Sequence, residues 1–145
     1  MSHSIRRSLT RTEFAKIYAT ALAAGIVLDL AWFAVMTKRL YVRYMSDLLR
    51  ADVQWKPAFA FYLIYAGAMV AFVVLPAMRR RSLRWALERG AFLGVAAYSC
   101  FDLVGLAMLK DFPMRVALVD MVWGGVLTAA ACGAAFVYAR RTITE

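Results

Sequence analysis

The chain has 145 residues, of which 63% are hydrophobic and only 19% are charged. Water-soluble domains carry roughly 25% charged and 45–50% apolar residues, so this composition excludes an ordinary soluble domain and favours a membrane protein. The net charge of +9 would suit nucleic acid, but no soluble segment remains that could read a groove. We therefore expect a lipid bilayer as partner, and no nucleic acid.

Four apolar segments are each long enough to cross a hydrocarbon core of about 30 Å, which takes about 20 helical residues. They are predicted at residues 16–37, 57–78, 88–109 and 116–138. The predicted fold is an all-α integral membrane protein, a four-transmembrane-helix bundle that forms a single membrane domain. Residues 1–15 form a basic tail before the first span.

Basic residues are distributed unevenly between the two sides of this predicted bundle. The side with both termini and the loop after the second span carries 11 Lys and Arg residues, counted to Arg89, and the other side carries 7. Because basic residues are retained in the cytoplasm, this difference predicts that both termini are cytoplasmic.

The segment between the first two spans has aromatic and apolar residues at helical spacing, namely Tyr41, Tyr44, Met45, Leu48 and Val53. Charged residues, namely Lys38, Arg39, Arg43, Asp47 and Arg50, occupy its other faces. This pattern predicts a short amphipathic helix lying at the membrane interface. Such a helix is either a connector with aromatic anchors or a lid over a cavity in the membrane.

Three aspartates, Asp29, Asp102 and Asp120, interrupt the apolar segments. A carboxylate inside a membrane is costly unless something uses or neutralises it. At 1.5 Å of rise per residue they lie roughly 12, 10 and 7 Å below the outer boundary, and Tyr62 and Tyr65 reach a similar depth. We therefore expect an internal polar site in the outer half of the bundle.

Two of the aspartates share a local pattern, because Trp32 follows Asp29 and Trp123 follows Asp120 by three residues. On a helix this spacing places the indole and the carboxyl on one side. The acids and indoles could form a pocket for a cation or polar ligand, or could fasten the bundle through hydrogen bonds between helices. The candidate ligand-binding residues are Asp29, Asp102, Asp120, Trp32, Trp123, Tyr65 and Tyr98.

Small residues recur at four-residue spacing in the last two spans, at Gly90 and Gly94 and at Gly125, Ala129 and Gly133. Such spacing lets helices approach closely. The contact is expected within one chain, and a face between two copies is the alternative.

Most catalytic and metal chemistry has no residues to carry it. The one histidine, His3, lies in the tail, so histidine-based metal sites and catalytic triads are not expected. Cys100 and Cys132 are predicted to be core thiols at different depths. We expect no cofactor, no metal site and no catalytic residue, although an acid–base enzyme that acts on lipid through Asp102 and Asp120 is conceivable.

Five motifs follow one another along the chain: Leu28-Asp29-Leu30-Ala31-Trp32, Phe61-Tyr62-Leu63-Ile64-Tyr65-Ala66, Val74-Leu75-Pro76, Tyr98-Ser99-Cys100-Phe101-Asp102-Leu103 and Leu118-Val119-Asp120-Met121-Val122-Trp123-Gly124. Their order resembles the predicted membrane proteins grouped as domain of unknown function 2177. The resemblance runs from about Tyr18 to Tyr138. It implies a four-span protein of the bacterial inner membrane and brings no assigned activity.

Three hypotheses for function follow. The first is a small module that binds or transports a small molecule, a cation or protons at an intramembrane acidic site. The second is an accessory or assembly subunit that joins a larger membrane complex or a second copy of itself. The third is a membrane lipid-modifying enzyme, for which no distinguishing motif is present.

Overall fold

The computed structural model describes residues 9–143 and consists almost entirely of helices. The first half of the chain forms α1 (Arg11–Met36), a π-helical turn (Thr37–Tyr41), α2 (Val42–Met45) and a 3₁₀ turn (Ser46–Leu48). The chain continues with α3 (Trp55–Met69), a second π-helical turn (Val70–Val74) and α4 (Leu75–Arg80). The last two helices are α5 (Leu83–Met108) and α6 (Met114–Ile143).

Four helical stretches in the described residues are long and apolar enough to cross a membrane, namely Arg11–Leu48, Trp55–Arg80, Leu83–Met108 and Met114–Thr142. The predicted all-α fold with four such helices is confirmed. Large apolar side chains such as Ile64, Phe92 and Met108 are more than 70% exposed. Apolar side chains that point outward suit helices in contact with lipid. Lipid offers no hydrogen bonds, and a helix satisfies its backbone N–H and C=O groups internally.

Helix α1 begins at Arg11, before the first predicted apolar segment. The Thr10 side chain accepts a hydrogen bond from the Glu13 backbone N–H, and the Glu13 carboxylate accepts one from the Thr10 N–H. This capping box fixes the start of the helix, so the predicted basic tail is partly helical. Residues 1–8 of that tail, including His3, lie outside the described residues.

The segment after the first span is helical, but it is continuous with α1 and is shorter than predicted. The helical part ends at Leu48, where Leu49 adopts an extended backbone, so Val53 is not on a helix. The π-helical turn buries Leu40. The position of this segment, which we call the connector (residues 37–54), at a membrane surface stays a prediction.

Helices α5 and α6 form the most extensive contact in the bundle. A Cβ atom at Gly94 would come within 2.0 Å of the Gly124 carbonyl oxygen, so only glycine fits there. Gly90, Gly125 and Gly133 also face residues of the opposing helix. The small residues are therefore used for packing within the chain.

A buried apolar core fills the space between α1, the α3–α4 stretch and α6, with Ile17, Val70, Val73 and Phe136 among its largest members. The second π-helical turn, Val70–Val74, comes just before Pro76, which has no backbone N–H to donate to the Phe72 carbonyl. A wider turn avoids the clash between the proline ring and that carbonyl. The core lies beside the polar groups described next.

Candidate functional site

A cavity of about 990 Å³ opens between the connector and the helices of the bundle, and all three aspartates lie in its wall. Most of the other lining residues are apolar. The three carboxyls come from α1, α5 and α6, and each aspartate is at most 8% exposed. The structure therefore brings the three acids to one cavity, but it gives each acid a different set of partners.

Asp29 is hydrogen-bonded on both carboxylate oxygens. Its Oδ2 accepts from the Tyr62 hydroxyl of α3 at 2.5 Å, and its Oδ1 accepts from the Trp123 indole N–H of α6 at 3.2 Å. Because the donors come from two other helices, this carboxyl joins three helices of the bundle.

Asp120 is joined to the connector. Its Oδ1 accepts a hydrogen bond from the Tyr41 hydroxyl, which itself accepts one from the Trp32 indole N–H at 2.9 Å. The wider π-helical turn at Thr37–Tyr41 shifts the helical phase, and π-helical turns often occur at functional sites. Tyr41 therefore points into the bundle and does not serve as a surface anchor.

Asp102 differs from the other two acids. It is 1% exposed, and neither carboxylate oxygen has a hydrogen-bond partner among residues 9–143. A buried carboxyl without a partner is expensive, because it has lost water and gained no hydrogen bond. Asp102 is thus the one aspartate in the cavity wall whose two carboxylate oxygens are buried and accept no hydrogen bond from residues 9–143.

Tyr98 lies one helical turn before Asp102 on α5 and also lines the cavity. Its ring packs against Gly124, where a Cβ atom would come within 2.3 Å of the ring. The Tyr98 hydroxyl makes no hydrogen bond with the part of the chain that the structure describes. Glycine at position 124 therefore leaves the space that the Tyr98 ring occupies between α5 and α6.

The other predicted site residues lie behind the cavity wall. The indoles of Trp32 and Trp123 stack on each other, with ring centroids 4.3 Å apart and planes 8° apart. Each indole thus covers one face of the other, and each N–H is already donated. Tyr65 is buried in the core and bonds to the Thr128 hydroxyl at 2.7 Å, away from the cavity.

Tyr62, Tyr41 and Arg50 line the cavity but were not among the predicted site residues. Tyr62 reaches Asp29, although Tyr65, at a similar predicted depth, does not. Tyr41 and Arg50 lie in the connector, where the amphipathic pattern indicated a surface. No sequence signal separates Tyr62 from Tyr65, and the change of phase at the π-helical turn could not be read from hydropathy.

The side chains of the site do not resemble a metal centre. Within residues 9–143, no three His, Cys, Asp or Glu side chains are grouped closely enough to hold a metal ion. The three carboxyls are therefore spread along the cavity wall.

The two cysteines differ in exposure. Cys132 is buried, but Cys100 is exposed on α5. The prediction of a core thiol is therefore wrong for Cys100, which lies off the packed face of that helix.

Comparison with known proteins identifies a family. Neither a curated protein nor a solved structure matches the chain. The family described as "Predicted membrane protein (DUF2177)" matches residues 14–137, which include the three aspartates and most of each of the four helices that are long and apolar enough to cross a membrane. Because this match covers most of the chain, the protein belongs to the DUF2177 family of predicted membrane proteins.

Proposed function

We propose that the protein is a membrane binding module that holds a small molecule with a cationic group in the cavity, with Asp102 as the residue that contacts the cation. The observation that carries this proposal is the state of Asp102, whose carboxyl is buried, unsatisfied and located in the cavity wall. A ligand that donates hydrogen bonds or carries positive charge would supply the missing partner.

The contrast with the other acids supports this assignment. Asp29 and Asp120 already accept hydrogen bonds from tyrosine or tryptophan side chains, so they fasten the helices and set the shape of the cavity. Asp102 fastens nothing in residues 9–143. A buried carboxyl without a partner destabilises the bundle, and binding of a ligand to this carboxyl would explain why an aspartate stands there.

The cavity is suited to a ligand larger than a single ion. Ligand pockets in proteins measure roughly 300–1,000 Å³ and combine mostly apolar walls with a few polar groups. The volume of about 990 Å³ and the lining of this cavity fall within that description. Tyr98 would add a further polar group to the same cavity wall.

The orientation in the membrane belongs to the same proposal. The 11 Lys and Arg residues on the side of the termini, against 7 on the other, support our proposal that both termini lie in the cytoplasm of a bacterial inner membrane. The connector and the cavity are then placed toward the outer side.

Native mass spectrometry of the protein released from membrane-derived nanodiscs tests the proposal. We expect wild type to retain a small molecule that Asp102→Asn loses. Asp111→Asn is the matched control, because Asp111 is exposed, lies outside the cavity and has φ of 60°, a conformation that asparagine adopts readily.

Equal amounts of the same bound species in wild type, Asp102→Asn and Asp111→Asn would overturn the proposal. A protein partner retained by both wild type and Asp102→Asn, with no small molecule bound to either, would also overturn the proposal, and the accessory-subunit hypothesis would replace it.

A further inference from the structure

The cavity that holds the three aspartates also contains one basic side chain. Arg50, in the connector after the last helical turn, lies in the same cavity wall as Asp102. It makes no ion pair with any carboxylate of residues 9–143. A cavity with an unsatisfied acid and an unpaired guanidinium in its wall is complementary to a ligand that carries both charges.

The side chains between these groups indicate how apolar that ligand is. Phe33, Phe61 and Phe101, from α1, α3 and α5, all line the cavity. They are also 41%, 46% and 64% exposed, so the apolar wall of the cavity continues onto the outer surface of the helices. In a bilayer that surface faces acyl chains, and a ligand can keep its own acyl chain in the lipid while its headgroup enters the bundle.

We infer that the cavity binds the headgroup of an aminophospholipid, with the ammonium at Asp102 and the phosphate at Arg50. The inference rests on the proposed function and names the ligand class for the same site. A primary ammonium has three N–H donors, which suit the two unsatisfied oxygens of the Asp102 carboxyl. A guanidinium binds phosphate through paired hydrogen bonds. The three phenylalanines contact the start of the acyl chain.

Three single-chain probes separate the two charges. Oleoyl-lysophosphatidylethanolamine carries the ammonium and the phosphate, oleoyl-lysophosphatidylglycerol carries the phosphate without the ammonium, and oleylamine carries the ammonium without the phosphate. Each probe is titrated onto the full chain in detergent micelles, and binding is measured by native mass spectrometry. We expect wild type to bind the first probe about tenfold more tightly than either of the others.

Two variants assign the charges to residues. Asp102→Asn is expected to weaken binding of the two ammonium probes about tenfold and to leave the glycerol probe unchanged. Arg50→Gln is expected to weaken binding of the two phosphate probes by a similar factor and to leave oleylamine unchanged. Arg39→Gln is the matched control, since Arg39 is an exposed connector residue outside the cavity wall.

The outcomes distinguish this inference from the proposed function. If oleylamine binding depends on Asp102 but no probe responds to Arg50→Gln, the aminophospholipid inference is overturned and the cation site stands. If no probe responds to either substitution, both are overturned. Because Arg50 is exposed and outside the helical core, its variant tests the inference even where Asp102→Asn folds poorly.

Discussion

The Trp123 indole on α6 donates a hydrogen bond of 3.2 Å to the Asp29 carboxylate on α1. The aspartate three residues before this tryptophan, Asp120, takes its hydrogen bond from Tyr41 instead. Trp123 therefore does not bond to the aspartate three residues before it, and both Trp123 and Asp120 make their hydrogen bonds to other helical segments. Hydrogen bonds of this kind hold membrane helices together where no water competes for them.

We expect Trp123→Phe to lower the free energy of unfolding by about 1–3 kcal/mol, because one oxygen of the buried Asp29 loses its donor and a large ring loses part of its contact with Trp32. SDS titration in mixed micelles measures the change. Trp55→Phe is the control, since Trp55 is 66% exposed and its loss is expected to cost less than about 0.5 kcal/mol. Equal effects of the two substitutions would contradict a role for the Trp123 hydrogen bond.

Replacement by leucine is expected to change the free energy of unfolding differently at Asp29 and at Asp102. Asp29→Leu leaves the Tyr62 hydroxyl and the Trp123 N–H without an acceptor, and each unsatisfied group costs about 1–3 kcal/mol. Asp102→Leu removes a carboxyl that has no partner in residues 9–143, so the free energy of unfolding is expected to stay the same or rise. The same SDS titration compares the two variants, and a larger loss for Asp102→Leu would show that this carboxyl stabilises the bundle.

The sequence predicted the helices and the depth of the acids better than their partners. Hydropathy and the rise per residue depend on local sequence alone, and the three aspartates that this reasoning put at one depth lie in the wall of one cavity. Tyr62 and Tyr65 are three residues apart and have similar depths, so only the packing of α3 decides which one reaches Asp29. The unsatisfied state of Asp102 depends on every neighbouring helix and leaves no local pattern.

The contact between α5 and α6 is expected to tolerate no added methyl group at its closest point. In Gly94→Ala the new Cβ would meet the Gly124 carbonyl oxygen at 2.0 Å, which forces the helices apart and costs about 3 kcal/mol or more. Gly67→Ala is the control, because its Cβ would meet only the Tyr18 ring at 3.9 Å. Alanine favours a helix over glycine by about 1 kcal/mol, so the control is expected to be neutral or stabilising, and a tolerated Gly94→Ala would contradict this packing.

Tyr41 is expected to hold the connector against the bundle. Tyr41→Phe removes the donor to Asp120 and the acceptor for Trp32, so amide hydrogen exchange in the connector is expected to become about tenfold faster, which corresponds to a loss of about 1.4 kcal/mol. Hydrogen exchange read by mass spectrometry on peptides that cover residues 37–48 measures the effect. Tyr44→Phe is the matched control, because the Tyr44 hydroxyl accepts only a long hydrogen bond, 3.4 Å, from the Arg115 side chain. Equal exchange rates in the two variants would mean that the π-helical turn keeps its position without the Tyr41–Asp120 hydrogen bond.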